Sequence, residues 1–357
     1  MLLACTLFVG CDDAREDSGL NPTPRSIRPP SGAPATHAST ASSLDFPRTL
    51  HSPRTPDVVA PDQLPVGPPP RVQYAAWLQD PKGQWPAQVV VMPSGRIAAT
   101  LQVDRQANEG YRHLSFAPYA GGWLTMFDSF GAVATLLGPD GAMHDIIGAG
   151  PDHVFSRPGR KEIVFEFIPS GRLGFGREVA TLGPDGLRRL GRAGSSAGFL
   201  GSHEVVVTTR DGVYRIDVRN RSRTLVPGLT AASMTSSRQG RLIGVSEGAH
   251  GVYDARTGAP ILGSPSYRLL TFSPSGDLVV GYRRAPHHSA ELVLVDVDSG
   301  SILQSFRWRT HGRPEQIVWE GDRTVLVDFV RFRLDGTIET ARLLQPSGLH
   351  LLPPPIS

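Results

Sequence analysis

Cysteine is almost missing from this 357-residue chain: only Cys5 and Cys11 occur, both at the extreme amino end. Everything after them therefore lacks a disulfide framework, a thiolate zinc site and a cysteine nucleophile. Lysine is nearly missing too. Lys82 and Lys161 are the only two among 36 basic residues, which leaves 34 arginines, and these are spread along the chain without a run of five. The net charge of +3 is therefore an arginine-rich composition rather than a nucleic-acid footprint, and no nucleic-acid partner is expected. No run is long enough to span a bilayer; the apolar segment Leu2–Gly10 has nine residues, the length of a signal-peptide core. Aromatic residues are absent from residues 12–70 except for Phe46, while 13 prolines crowd the same stretch. So little apolar surface does not offset the entropy of ordering, and the sequence predicts a disordered Pro/Ser/Thr-rich linker over 11–70 and one folded domain over 71–357. Helical periodicity is missing after Pro70. So are a Walker motif, G-x-G-x-x-G and H-E-x-x-H, and no cofactor or metal is expected.

What the chain does have is a recurring turn: Pro93-Ser94-Gly95, Pro139-Asp140-Gly141, Pro184-Asp185-Gly186, Arg256-Thr257-Gly258, Asp298-Ser299-Gly300 and Pro346-Ser347-Gly348. Each stands between β-branched apolar runs. The gaps from Gly95 to Gly141, Gly141 to Gly186 and Gly258 to Gly300 are 46, 45 and 42 residues, the period of a four-stranded propeller blade. The clearest phrase runs from Arg268 to Phe306: Arg268–Phe272, a Ser273-Pro-Ser-Gly276 turn, Asp277–Tyr282, Glu291–Asp296, a second Gly turn and Ser301–Phe306. The same phrase fits 112–148, 153–190, 197–227, 231–263 and 315–352, and 73–102 reads as part of one more. The fold class is therefore all-β, a β-propeller of seven four-stranded blades with six as the alternative.

Phe8-Val9-Gly10-Cys11 followed by Asp12-Asp13-Ala14-Arg15-Glu16-Asp17 resembles a bacterial lipoprotein signal, with a small residue before the cysteine and polar sequence after it. The resemblance implies a signal segment over 1–10, diacylglycerol on Cys11 and an extracytoplasmic protein lipid-anchored to the outer face of the cell membrane. Leu2-Leu3-Ala4-Cys5 offers a second such box, and an ordinary secretory signal is the plainer alternative. Phe272-Ser-Pro-Ser-Gly-Asp-Leu-Val-Val, completed by Leu294-Val-Asp-Val-Asp-Ser-Gly, resembles bacterial WD-repeat-like propellers. Leu64-Pro65-Val66-Gly-Pro-Pro-Pro70 together with Ile317-Val-Trp319-Glu-Gly-Asp-Arg323 is similar to propeller lipoproteins of high-GC actinobacteria. These likenesses imply a binding platform.

Three motifs invite chemistry. Gly194-Ser195-Ser196-Ala197-Gly198 has the spacing of a nucleophile elbow, but it reads as a connection between blades with no helix to present Ser196. Asp296-Val-Asp298-Ser-Gly300 has the start of a calcium loop without its terminal glutamate, which leaves a tight capped turn as the reading. His287-His288 suggests a metal, yet neighbouring side chains on a strand diverge and no third ligand stands near. Binding is expected on the face carrying the longer loops, from Arg105, Tyr111, Arg283, Arg284, His287, His288, Trp308, Arg309, His311 and Arg313, since arginine and tryptophan dominate binding hot spots. Phe272 and Trp319 read as core. The expected function is a monomeric, non-catalytic lipoprotein whose propeller binds a protein or an envelope glycan; the alternative is a propeller enzyme, lyase or hydrolase, acting at the channel mouth.

Overall fold

The computed structural model of the protein describes residues 45–51, 57–60 and 63–72, strands and short adjoining stretches between 74 and 167, and residues 178–342 apart from 184–185, 193–194, 237, 286–288, 310–316 and 328. The described strands form seven sheets. The first comprises Tyr74–Leu78, Ala87–Val91 and Ile97–Gln102; the second spans 114–147, the third 154–192, the fourth 195–226, the fifth 231–263, the sixth 268–309 and the seventh 317–340. Within each, successive strands pair antiparallel in chain order.

Each sheet is sandwiched between two others, so its middle strands are apolar on both faces rather than alternating. Strand Ser289–Asp296 is buried from Ser289 through Val295. Val164, Val179 and Leu190 of the third sheet pack on Phe199, Val205 and Ile216 of the fourth. Leu200, Val206 and Val213 of the fourth meet Leu242 and Tyr253 of the fifth, and Ile243 and Leu262 of the fifth meet Leu269, Val279 and Val293 of the sixth. Tyr282, Leu292, Phe306 and Trp308 of the sixth meet Trp319, Val325 and Phe332 of the seventh. The innermost strands of the first, second and third sheets lie side by side. The ring closes where Val91 and Ile97 of the first sheet pack on Val318, Leu326 and Ala341 at the seventh. The fold is a β-propeller, with one sheet per sequence repeat. Phe272 and Trp319 are buried in it, as expected.

Two turn glycines have two jobs. Gly258 and Gly276 hold φ of 72° and 85°, a left-handed conformation that side chains disfavour. A Cβ on Gly258 would also lie 1.9 Å from the carbonyl oxygen of Pro227, just after the fourth sheet, and one on Gly276 would lie 2.0 Å from Ser236 Oγ in the fifth. These two turns therefore stand where consecutive sheets touch.

Described residues of the proline-rich stretch before residue 71 pack on the sheets. Leu50 is 1 % exposed, and Phe46 stacks edge-on against Tyr253 and lies over Gly251 and Gly263, which have no side chains to exclude it. Leu50 N donates to Gly263 O and Gly263 N to Arg48 O, at 2.9 and 2.8 Å, on the outer edge of the fifth sheet. Val58–Val59 adds a parallel strand beside Arg307 and Trp308 on the outer edge of the sixth. Gly67 N donates to Thr340 O and Thr340 N to Pro65 O, at 2.8 and 2.9 Å, on the outer edge of the seventh. A segment poor in apolar residues is held here by backbone carbonyls and two anchor side chains. Composition does not register such bonds. The proposed linker residues 11–44, and Cys11 with them, lie outside the described residues.

Candidate functional site

The two ends of the sheets differ chemically. At the turn end, carboxylates cap the tight turns. Asp254 Oδ1 accepts from Arg256 N, Thr257 N and Thr257 Oγ1 at 2.9, 2.7 and 2.8 Å, and Asp296 Oδ1 accepts from Ser299 N and Ser299 Oγ, both at 2.7 Å. The Arg219 side chain and backbone N–H bring Asp217 down to a pKa of about 2. Partial burial raises the pKa of Asp254 and Asp296, but the hydrogen bonds from Thr257 and Ser299 outweigh it and both fall below the ordinary carboxylate value. Asp298 is held by Arg241 of the fifth sheet at 2.7 Å, Asp277 by Gln239 at 2.9 Å, and Asp322 of the seventh by Ser275 N at 2.6 Å. The Asp296–Gly300 stretch is thus a capped turn whose acidic groups stitch neighbouring sheets. No group of three metal-ligating side chains comes together among the described residues.

At the loop end, the strands Leu278–Ala285 and Ser289–Asp296 are joined by a hairpin whose register puts Arg283 opposite Glu291, Glu291 opposite Arg307, and Arg307 beside Val58. Residues of one row share a face. Glu291 has a fully buried side chain and accepts from Arg283 Nη2 and Nε at 2.6 and 3.2 Å, from Tyr267 OH at 2.7 Å and from Ser305 Oγ at 3.3 Å. The Arg283 guanidinium lies over the Tyr267 ring, 5.0 Å from its centroid, and keeps 30 % of its side-chain surface exposed. Arg307 Nε donates to Ser289 Oγ at 3.1 Å, and Ser264 Oγ donates to Tyr267 O at 2.6 Å. His250 of the fifth sheet lies near Arg268; burial, then the charge of Arg268, holds its imidazole below the usual pKa. This is a cationic rim built on one buried carboxylate. Glu291 fixes Arg283, Tyr267 supports the guanidinium plane, and part of the side chain stays at the solvent.

No protein-family model and no curated protein matches this sequence. Solved structures resemble it in fold. TolB from Acinetobacter baumannii is 16% identical with a TM-score of 0.44, the match covering 64% of this chain and 61% of that one, so that the chain spans less than two thirds of TolB. The uncharacterized protein lmo1340 from Listeria monocytogenes EGD-e is 10% identical with a TM-score of 0.49, covering 80% of this chain and 96% of that one. The computationally designed Ika8 protein is 10% identical with a TM-score of 0.41, covering 79% and 100%.

The structure separates the residues that sequence grouped into one patch. Arg283 faces the fifth sheet. Arg284, the next residue, is exposed and belongs to the opposite face, in the row of Ala290 and Trp308. Trp308 was expected to offer a stacking surface at the rim. It is instead 3 % exposed and packs on Phe332, with ring centroids 5.0 Å apart, because Gln304, Phe306 and Trp308 share the face of their strand that meets the seventh sheet. Arg309 ends that strand opposite Ser289. His287, His288, His311, Arg313, Arg105 and Tyr111 lie outside the described residues. Gly194-Ser-Ser-Ala-Gly198 does not end in a blade connection: Ser195–Leu200 is the innermost strand of the fourth sheet, bulged at Ser196–Gly198, and another strand follows it. Sequence reading missed Tyr267, Glu291, Arg307 and Ser305. One signal was available: a lone acid in Ala290-Glu-Leu-Val-Leu-Val295, and a hairpin centred on residue 287 pairs it with Arg283.

Proposed function

We propose that this chain is a non-catalytic, monomeric binding propeller of the bacterial WD-repeat-like lipoprotein type, acylated at Cys11 and held at the outer face of the cell membrane. Its loop end takes an anionic group of an envelope glycan or protein partner. The observation that supports the site is the Arg283–Glu291–Tyr267 arrangement: a guanidinium immobilised on a buried carboxylate and an aromatic ring loses little side-chain entropy when it engages an anion. The anchor reading rests on the Cys11 signal, and residues 12–44 then separate the lipid from the first packed residues.

Two experiments test it. Labelling with palmitate should be lost in Cys11→Ser, and equal labelling of the two proteins contradicts the anchor. Affinity capture from native membranes should recover a partner with the wild-type protein and lose it with Arg283→Gln combined with Glu291→Gln, a pair that removes both charges and orphans neither. Undiminished capture by the double variant refutes the site.

A further inference from the structure

The described residues of 45–72 meet the outer edges of the fifth, sixth and seventh sheets in that order, at 48–50, 58–59 and 65–68, and two residues after Val72 the chain begins the first strand of the first sheet. It therefore runs from the last sheet to the first across the seam where the ring closes. Every other pair of consecutive sheets is joined in chain order through the innermost strand; here the strap is covalently continuous with the first sheet alone and is held to the outside of the seventh by non-covalent bonds. Its hold on the seventh sheet is a buried ionic knot. Arg331, 2 % exposed, spends all five of its N–H groups: Nε and Nη2 on Glu320, Nη1 on Glu339 and on Pro68 O, and Nη2 on Pro69 O. Arg71 N donates to the same Glu320 at 2.7 Å, and Arg342 N to Pro68 O at 3.3 Å. Two carboxylates thus hold one guanidinium, and the guanidinium holds two strap carbonyls.

We propose that residues 45–72 are a clasp that keeps the propeller's closing seam shut, with Arg331 as its lock, so that lifting the strap opens the ring between the seventh and first sheets and nowhere else. Gly67 gives access to the lock without altering a buried charge. A Cβ there would lie 2.3 Å from the carboxyl carbon of Glu339, which Arg331 holds in place. Gly67→Val should push the strap off.

The test uses the full chain with Cys5→Ser and Cys11→Ser, carrying either Val91→Cys at the closing seam or Val207→Cys between the third and fourth sheets, both positions being fully buried. Trypsin cleavage after Arg71 reports strap lifting, and maleimide labelling reports each seam. Gly67→Val should speed cleavage and labelling of the Val91→Cys thiol at least tenfold and leave the Val207→Cys thiol unchanged; Arg331→Met should act alike. Faster cleavage with unchanged labelling at both seams overturns the clasp. Unchanged cleavage overturns the lock. Equal acceleration at both seams makes the strap ordinary core and overturns the proposal as well.

Discussion

Two arginines on neighbouring sheets, Arg331 and Arg283, are each paired with a buried carboxylate, and they differ in what the rest of the guanidinium does. Arg331 has a side chain 3 % exposed, with a protein acceptor on every N–H. Burial alone would lower its pKa; the bonds it donates to Glu320 and Glu339, with their negative charges, outweigh this and raise it. Arg283 pairs with Glu291, rests on an aromatic ring, and has a side chain 30 % exposed. The first is consumed by the fold, and the second is held still with part of its surface at the solvent. The chemistry of an ion pair does not separate the two roles. Burial does.

The comparison breaks most visibly at Arg331. Arg331→Met leaves the buried Glu320 carboxylate without its counter-charge and takes a donor from Glu339 and from two strap carbonyls, and should lower unfolding free energy by about 3–5 kcal/mol; a change below about 1 kcal/mol in urea unfolding would return Arg331 to the ranks of surface pairs. Trp308→Ala sharpens the contrast between the two faces of the sixth sheet. Because its indole lies in the seam against Phe332, the loss should be about 3–5 kcal/mol as for other buried aromatics, and an unchanged melting temperature would place it back at the surface. The turn end should respond to acid. The carboxyls of Asp217, Asp254 and Asp296 bind protons less readily folded than unfolded, so their stabilisation is complete above the ordinary value of 3.8 and is lost as pH falls below it through their lowered values, which for Asp217 is about 2. Asp254→Asn with Asp296→Asn keeps the acceptor oxygens and should flatten the decline of the urea midpoint over that window; an unaltered slope would assign the acid response elsewhere.

Repeat phrasing made most of the fold legible. The phrases placed over 112–148, 153–190, 197–227 and 231–263 correspond to sheets at 114–147, 154–192, 195–226 and 231–263, because strand runs and Gly turns are local in sequence. The strap was not legible, since its bonds join Pro68 to Arg331 and Arg71 to Glu320 across more than two hundred residues and involve backbone atoms that every residue has. The site was half legible. Arg283 stood out as a loop-end arginine, but the alternation that sends Arg283 and Trp308 to opposite faces depends on which hairpin residue is central, and Glu291 read as one more strand residue.

The most direct test sets the two arginines side by side. Unfolding free energy and recovery of the membrane partner are measured for Arg331→Met and for Arg283→Gln combined with Glu291→Gln. The account predicts a crossover: the first protein is strongly destabilised yet still captures the partner at a temperature where it remains folded, and the second melts close to wild type but captures little. A double variant that captures normally, or an Arg331→Met protein that keeps its stability and loses capture, would contradict it.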